Sequence, residues 1–287
     1  MGRWQVCAAA AAFGASFFAL MGRDAFDPGS LSGTRVLLTG ASKGIGEQLA
    51  YQYSGFGADL VITAQRGDAL QKVADKCLEL GAKNVRSIAA DMADPRNPKR
   101  VVQFALEKLG GLDYLVLNHI GATPFQMWDR DSEHTRWLMQ VNFLSFVELA
   151  GAALPLLTKS NGSIVVVSSL CGKIATPFTA SYSATKFALG GFFTSLRHEL
   201  AMQRKHVSVT LCFLGLIDTQ STLEKIQGIL SMQPYPASDS ALAIIKGGMT
   251  RAREIYFPWW VDLVSKLHDW FPEASDQMIR NAYNYSG

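Results

Sequence analysis

Short apolar runs rich in β-branched residues alternate along the chain with longer stretches in which apolar side chains repeat at helical spacing. Strands are predicted at Arg35–Thr39, Leu60–Ala64, Val85–Ala89, Tyr114–Leu117, Ser163–Ser168 and Val207–Phe213. Helices are predicted at Ile45–Phe56, Ala69–Leu80, Lys99–Leu109, Thr135–Leu157 and Ser183–Arg204. Strands that alternate with helices predict an α/β fold, with a doubly wound parallel sheet in a single domain.

Composition divides the chain into a hydrophobic segment at residues 1–22, one domain at residues 30–255 and an aromatic tail at residues 256–287. Asp27-Pro28-Gly29-Ser30 is typical of a short linker before the domain. No comparable stretch interrupts the domain itself, so we expect one folded unit.

The first segment is almost entirely apolar or small between Trp4 and Met21, with Arg3 before it. A run of about 18 such residues is at the lower limit for a membrane-spanning helix and above the usual core of a signal peptide. A buried helix of the domain is the less favoured alternative, because the run has no polar face. We therefore expect a signal peptide or a signal anchor, and a protein of the secretory pathway that is secreted or held in the endoplasmic reticulum. Asn161 and Asn284 lie in glycosylation sequons that agree with this compartment.

Composition and charge exclude several other classes of protein. The chain of 287 residues is 48% hydrophobic and 18% charged, which excludes a disordered or fibrous protein. A formal net charge of +3 without basic clusters argues against nucleic-acid binding. The four cysteines lack the spacing of a zinc site or a disulfide framework, so we expect no metal site.

A glycine-rich loop follows the first predicted strand and precedes the first predicted helix. Glycines at i, i+4 and i+6 let the backbone approach a pyrophosphate closely, and the helix N-terminus then offers free N–H groups and a positive dipole end to the anion. The strand before the loop and the helix after it strengthen this reading. The candidate cofactor-binding residues of the loop are Gly40, Ser42, Lys43, Gly44, Ile45 and Gly46.

The end of the second strand favours NADP over NAD as the cofactor. An enzyme that uses NAD usually places an acidic side chain here to bind the ribose, but no acid occurs before Asp68. Lys43 and Arg66 instead offer positive charge, which suits the 2′-phosphate of NADP. An ordinary exposed arginine is the alternative interpretation of Arg66.

Ser169, Tyr182 and Lys186 form the candidate catalytic group. Tyr182 and Lys186 are spaced i, i+4 on a predicted helix and therefore share one of its faces. A free tyrosine has a pKa near 10, and a neighbouring ammonium should lower it toward the range useful for acid–base catalysis. Ser169 follows a strand end, where ligands of such sheets bind, and can hydrogen-bond a substrate oxygen.

The loop Thr39–Gly46, the segment Asn118-His119-Ile120-Gly121, and Asn142, Ser169, Tyr182 and Lys186 together resemble the signature of the short-chain dehydrogenase/reductase family. The resemblance covers residues 33–253 and implies a Rossmann fold and a homodimer. It implies that Asn118 stabilises the sheet beside the cofactor and that Asn142 joins a proton relay with Lys186 and a water. It also places further residues at the cofactor: Asp91 and Met92 at the adenine, Ile217 and Thr219 at the nicotinamide, and His119 and Ile120 beside it. We interpret the His119 side chain as structural.

Within this family, several segments are most similar to the 11β-hydroxysteroid dehydrogenases. That branch has an arginine directly after the Thr-Ala that ends the second strand, whereas this chain has Gln65 there and Arg66 one position later. Thr176 stands where the branch has a pocket tyrosine.

The sequence thus predicts an NADP-dependent oxidoreductase that interconverts a secondary alcohol and a ketone on a lipophilic substrate, with a steroid as one candidate. Ser169 and Tyr182 are the candidate substrate-binding residues. One alternative is a reductase of retinoids or other lipid carbonyls, and another is a cofactor-bound lipid-binding protein without turnover. The aromatic tail, which includes Trp259, Trp260 and Trp270, fits a membrane interface or a dimer contact.

Overall fold

The computed structural model describes residues 26–226, 228–229 and 232–283. Nine strands are present in these residues: β1 Arg35–Thr39, β2 Asp59–Ala64, β3 Val85–Ala89, β4 Tyr114–Leu117, β5 Ser163–Val167, β6 Ser208–Leu214, β7 Ile217–Asp218, β8 Tyr235–Pro236 and β9 Glu254–Phe257. Seven of them form one parallel sheet in the order β3-β2-β1-β4-β5-β6-β9, and β7 pairs with β8.

Helices cover both faces of the sheet. They are α1 Gly44–Gly55, α2 Gly67–Glu79, α3 Asn97–Leu109, α4 Ser132–Met139, α5 Ser145–Ser160, α6 Ala180–Met202, α7 Gln220–Ile226, α8 Ala237–Met249, α9 Trp260–Trp270 and α10 Pro272–Asn281. The helices α1, α2 and α8 pack on one face, and α3, α5 and α6 pack on the other. The central strands are therefore apolar at successive positions, as in Ile164-Val165-Val166-Val167, because both of their faces are buried. This confirms the α/β class and the parallel, doubly wound sheet.

The strand order reverses between β1 and β4, each of which leads into a different half of the sheet. In open α/β sheets the ligand crevice lies at such a reversal, outside the carboxyl ends of the strands. The glycine loop follows β1, Asn118 follows β4, and Ser168 and Ser169 follow β5. Topology alone therefore collects the predicted cofactor loop and catalytic residues at one edge.

The helix predicted at Thr135–Leu157 is not continuous. A π-helical turn at Gln140–Leu144 separates α4 from α5 and contains the fully buried Asn142. Single π turns within α-helices frequently mark functional sites. The apolar periodicity carries no sign of this turn, because one additional residue hardly disturbs the pattern.

The strand β9 extends the sheet past the expected end of the domain at residue 255, so Tyr256 and Phe257 belong to the sheet. The Tyr256 ring stacks on Phe213 of β6 with ring centroids 5.3 Å apart. Tyr256 and Phe257, at the start of the predicted aromatic tail, therefore pack against the core, and α9 and α10 follow them.

The stretch Ser132–Ser160 is the one helical segment among the described residues that is long and apolar enough to cross a membrane. In its most apolar window 44% of the residues are buried, and its α5 part packs on the sheet. The predicted segment at residues 1–22 and the sequon residue Asn284 lie outside the described residues. Asn161 is exposed at the end of α5, with a φ of 52°.

Candidate functional site

The glycine loop is packed too tightly for other residues at two of its three glycines. A Cβ at Gly46 would lie 2.0 Å from the Gly40 carbonyl oxygen, and a Cβ at Gly40 would lie 2.6 Å from the Cα of His119. Gly40 and Gly44 also have positive φ angles of 68° and 59°. The loop leads into α1, whose N-cap, Lys43, makes no capping bond with its side chain. The first N–H groups of the helix therefore point to a place where an anion fits.

Asn118 holds the end of β4 against this loop. Its side-chain amide donates to the carbonyl oxygens of Thr39 and Gly40, both at 3.2 Å, and its backbone N–H donates to Thr39 Oγ1 at 2.9 Å. These bonds fasten Asn118 to the glycine loop, and its role beside a cofactor stays a prediction of the resemblance.

Ser169, Tyr182 and Lys186 come together at the carboxyl end of β5. The Lys186 ammonium is buried, donates to the Val167 carbonyl at 3.0 Å and lies 5.5 Å from the centre of the Tyr182 ring. The Ser169 hydroxyl accepts a bond from the Cys171 N–H and another links it to the phenol of Tyr182. A serine, a phenol and an amine thus share one partly exposed corner of the fold.

The electrostatics of the protein groups differ from the expectation for Tyr182. Burial raises the pKa of its phenol, and the hydrogen bond with Ser169 only partly opposes this rise. Burial also lowers the pKa of Lys186 to about 8. The protein by itself therefore keeps the phenol neutral and able to donate a proton at neutral pH, and the ammonium does not outweigh desolvation.

Asn142 is held rigidly in the π turn. Its Oδ1 accepts a bond from the Gly121 N–H at 2.7 Å, and its Nδ2 donates to Thr185 Oγ1 at 3.3 Å. The Thr185 hydroxyl in turn donates to the carbonyl of Tyr182 at 2.7 Å. Thr185 therefore joins Asn142 to the helical turn that carries the catalytic candidates, a link that the sequence motif does not reveal.

His119 borders the site only with its backbone. Its side chain is buried, and both ring nitrogens are hydrogen-bonded inside the protein. This agrees with the structural interpretation of the ring, and any contact of His119 with a cofactor falls to its main chain. Its neighbour Ile120 is 55% exposed beside it.

The segment after β6 reaches the glycine loop from the other side. Ile217 is buried in β7, and a Cβ at Gly44 would lie 3.0 Å from the Thr219 side chain. The Thr219 hydroxyl also caps the following turn through Thr222. Thr219 thus lies beside the loop, and the assignment of Ile217 and Thr219 to the nicotinamide stays a prediction of the resemblance.

The far end of the crevice is open and charged. Lys43, Gln65, Arg66 and Asp91 are all exposed, whereas Met92 is buried. Gln65 Nε2 donates to Asp91 Oδ2 at 3.1 Å, a contact that the sequence did not indicate. Among the described residues no group of three or more histidine, cysteine, aspartate or glutamate side chains could hold a metal ion.

Comparison with known proteins decides the family. The model of the family described as short chain dehydrogenase matches residues 34–229, which is more than half of the chain. The chain belongs to the short-chain dehydrogenase family. As a short-chain dehydrogenase it is an oxidoreductase, and the resemblance drawn from its motifs is confirmed.

Curated relatives of this short-chain dehydrogenase are named Hydroxysteroid 11-beta-dehydrogenase 1-like protein. The protein of Gallus gallus is 62% identical over 273 residues, which cover 95% of this chain and 94% of the relative. The protein of Xenopus tropicalis is 60% identical, with 92% of each chain covered. The Homo sapiens protein is 56% identical over 78% of this chain and 71% of its own.

Solved structures confirm the fold of the short-chain dehydrogenase. A short chain dehydrogenase/reductase from Burkholderia phymatum in complex with NAD has a TM-score of 0.76 at 19% identity, covering 90% of this chain and 99% of that one. A short chain dehydrogenase from Burkholderia cenocepacia in complex with NADP has a TM-score of 0.68 at 28% identity, covering 79% and 96%.

Proposed function

We propose that this short-chain dehydrogenase uses NADP(H) to interconvert a secondary alcohol and a ketone on a lipophilic substrate, with a steroid as the leading candidate. The observation that carries the proposal is the meeting of Ser169, Tyr182 and Lys186 at the carboxyl end of β5, on the same edge of the sheet as the glycine loop. An oxygen-directed donor, a phenol and an amine are the groups that carbonyl reduction needs.

Tyr182 is the acid in reduction and the base in oxidation. Because burial raises its pKa, the phenol carries its proton at neutral pH and gives it to the carbonyl oxygen of the substrate. The chemistry that a nicotinamide cofactor would supply here, when bound, is hydride transfer to or from the substrate carbon. Ser169 donates a hydrogen bond to the same oxygen, and Lys186 stabilises the phenolate left behind and binds the ribose. Asn142 orders the water through which the proton is replaced.

The residues of the crevice fit a dinucleotide. The loop accepts no side chain at Gly40 or Gly46, which keeps its backbone accessible, and the uncapped N-terminus of α1 suits the pyrophosphate. Asn118 and Thr219 contact this loop, and in this proposal they serve the nicotinamide side together with Ile120 and Ile217. Asp91 and Met92, which follow β3, would serve the adenine side.

NADP is preferred over NAD in this proposal because the exposed Lys43 and Arg66 can pair with a 2′-phosphate. No acidic side chain directly follows β2, where an enzyme specific for NAD binds the ribose. The Burkholderia cenocepacia relative in complex with NADP, at 28% identity, supports the same choice.

The surroundings of the catalytic corner favour a lipophilic substrate. Ile120, Met127 and Trp128 are each more than half exposed in the segment after β4. Phe125 and Tyr283 stack with ring centroids 6.1 Å apart, and Tyr283 bonds to Thr176 in the loop between Ser169 and Tyr182. Such aromatic walls suit an apolar molecule, and the names of the curated relatives favour a steroid.

The C-terminal helices supply an interfacial surface in this proposal. Trp259 and Trp270 are 74% and 79% exposed, and Leu263, Leu267 and Phe271 are exposed between and after them along one side of α9. Aromatic and apolar side chains in one stripe suit the headgroup region of a membrane.

We also propose a homodimer, from the family resemblance, and entry into the secretory pathway through residues 1–22. Flotation with phospholipid vesicles tests the membrane interface, and size-exclusion chromatography tests the homodimer.

The decisive experiment is a panel of steroid ketones, retinal and fatty carbonyls, each assayed with NADPH and NADH. Oxidation of NADPH by a steroid ketone supports the proposal in full. Turnover of retinal or fatty carbonyls alone replaces the steroid by the alternative substrate class. Binding of NADPH without turnover of any carbonyl overturns the enzymatic role and favours a lipid-binding protein.

A further inference from the structure

A continuous chain of hydrogen bonds runs through His119 from the glycine loop to Asn142. Its end points are Thr39, the last residue before Gly40, and Val141, the residue before Asn142 in the π turn. All of its side chains are buried. The chain therefore connects two parts of the site that are a hundred residues apart in sequence, and the catalytic motif includes none of its middle members.

The direction of the bonds at Thr39 follows from counting protons. Thr39 Oγ1 accepts from the backbone N–H of Asn118 at 2.9 Å and from that of His119 at 3.4 Å. Its own proton then goes to the nearer acceptor, which is His119 Nδ1 at 2.8 Å, rather than to the Val116 carbonyl at 3.3 Å. The His119 ring therefore carries its proton on Nε2.

The other side of the ring reaches the π turn. His119 Nε2 lies 2.7 Å from Ser145 Oγ and 3.1 Å from the Val141 carbonyl. The Ser145 hydroxyl donates to that same carbonyl at 2.7 Å, so the ring proton is donated to Ser145. Each hydroxyl and the imidazole thus donate in one direction, and bonds in such a series strengthen one another.

The ring is suited to a fixed, uncharged role. Burial, and secondarily the charge of Lys186, lower the pKa of His119 to about 3. The Phe146 ring packs against it with ring centroids 4.5 Å apart. A neutral imidazole with one donor and one acceptor on opposite sides satisfies both neighbours, and protonation would break the bond with Thr39.

We propose that His119 is a positioning residue that fixes the glycine loop and the Asn142 turn relative to each other. It does not touch the reacting atoms; it acts through Thr39 on the cofactor loop and through Ser145 and Val141 on Asn142. The inference rests on the proposed function, since it assigns the two ends of the chain to cofactor binding and proton relay. The proposal therefore predicts different losses for different breaks in this series of hydrogen bonds. A break on the Thr39 side should weaken cofactor binding, and a break on the Ser145 side should lower kcat.

Three variants cut the chain at different places. Ser145→Ala removes the arm to Asn142 and is expected to lower kcat about tenfold, with the Kd for NADPH within about twofold of the parent protein. Thr39→Val removes the arm to the glycine loop and is expected to weaken NADPH binding about tenfold, with kcat at saturating cofactor little changed. His119→Ala is expected to show both losses.

The control and the double variant make the test specific. Ser265→Ala is the control. Ser265 also has a buried hydroxyl that donates to the carbonyl four residues earlier, as Ser145 does, but it lies on α9 and takes no part in the hydrogen-bond series through His119. This variant should leave kcat and the Kd unchanged. The variant that combines His119→Ala with Ser145→Ala should lose no more kcat than His119→Ala alone, because both cut one path.

Spectroscopy gives a readout that needs no turnover. The ¹⁵N shifts of the His119 imidazole should report the neutral Nε2–H tautomer from pH 5 to 8, and Thr39→Val should change the Nδ1 shift. An inactive parent protein would refute the proposed function while the tautomer and the Kd for NADPH still assess His119. A Ser145→Ala protein with unchanged kcat, additive losses in the double variant, or an Nδ1–H tautomer would each overturn the positioning role.

Discussion

The two ends of the crevice are built differently. At the inner end, Asn142 and Lys186 are buried, and their side chains are hydrogen-bonded to the backbone of Gly121 and Val167. At the outer end, Lys43, Arg66 and Asp91 are exposed to solvent. Thr39 and the glycine loop lie between the two.

Because of this difference, we expect the inner end to determine the rate of the reaction and the outer end to determine which nucleotide binds. A polar group that loses its partner in a buried place costs the full penalty of desolvation, so the inner end tolerates few changes. Charges in solvent interact weakly and are screened by salt, so the outer end is easily altered at little cost to the fold. We expect substitutions at the inner end to act on rate and those at the outer end on the preference for a nucleotide.

The largest expected effect is that of Tyr182→Phe at the inner end. Loss of the proton donor should lower kcat by about 10³-fold, while the Kd for NADPH stays close to that of the parent protein. Single-turnover kinetics with a ketone substrate measure the first quantity and cofactor fluorescence the second. Full turnover in this variant, with normal binding, would remove Tyr182 from the mechanism.

A substitution in the loop between the two ends should damage the fold itself. In Gly46→Ala the new methyl group would meet the Gly40 carbonyl oxygen and the Asn118 amide, so we expect a loss of about 1–3 kcal/mol in the free energy of unfolding. Gly55→Ala on the same helix is the matched control, because its Cβ would meet no atom within 4 Å. Urea denaturation compares them, and equal stability of both variants would contradict the close packing of the loop.

The pH dependence of reduction should report Lys186. Because the pKa of Lys186 is lowered to about 8, the ammonium is lost on raising the pH through this value, well before an ordinary lysine would lose it. Tyr182, whose pKa is raised, still carries its proton there. The rate of reduction should therefore fall by about tenfold per pH unit above this point. In Lys186→Arg, which stays charged, the fall should disappear.

The smallest expected effect is at the outer end. Arg66→Ala should weaken NADPH binding by about tenfold and leave NADH binding unchanged, since only NADPH carries the 2′-phosphate. The difference should shrink as salt concentration rises. Lys72→Ala removes the same charge from an exposed position on α2 and is the control. Equal losses of affinity for NADPH and NADH would show that Arg66 does not recognise the 2′-phosphate and acts only through its charge.

The fold was predictable because the central strands, which are buried on both faces, are largely apolar runs that alternate with helical patterns. The bounds of β1, β3 and β4 agree with the runs that predicted them. The strand β9 was missed because its sequence, Glu-Ile-Tyr-Phe, is only half-buried at the sheet edge and merges with the aromatic tail.

The candidate site was predictable where a motif fixes spacing, as for Tyr182 and Lys186. It was not predictable where the partners come from distant segments, as for Thr185 with Asn142 or Gln65 with Asp91. The direction of the Tyr182 pKa also depends on three-dimensional burial, which outweighs the neighbouring amine and leaves no trace in the i, i+4 spacing.

The reversal of strand order between β1 and β4 also bears on how the protein becomes resistant to degradation. A nucleotide placed there would contact segments as far apart as Gly40 and Thr219, so it can bind tightly only after the last of them has docked. Ligand that binds only the completed fold stabilises it by mass action. In a cell, the supply of nucleotide would thereby influence how long each newly made copy survives proteolysis.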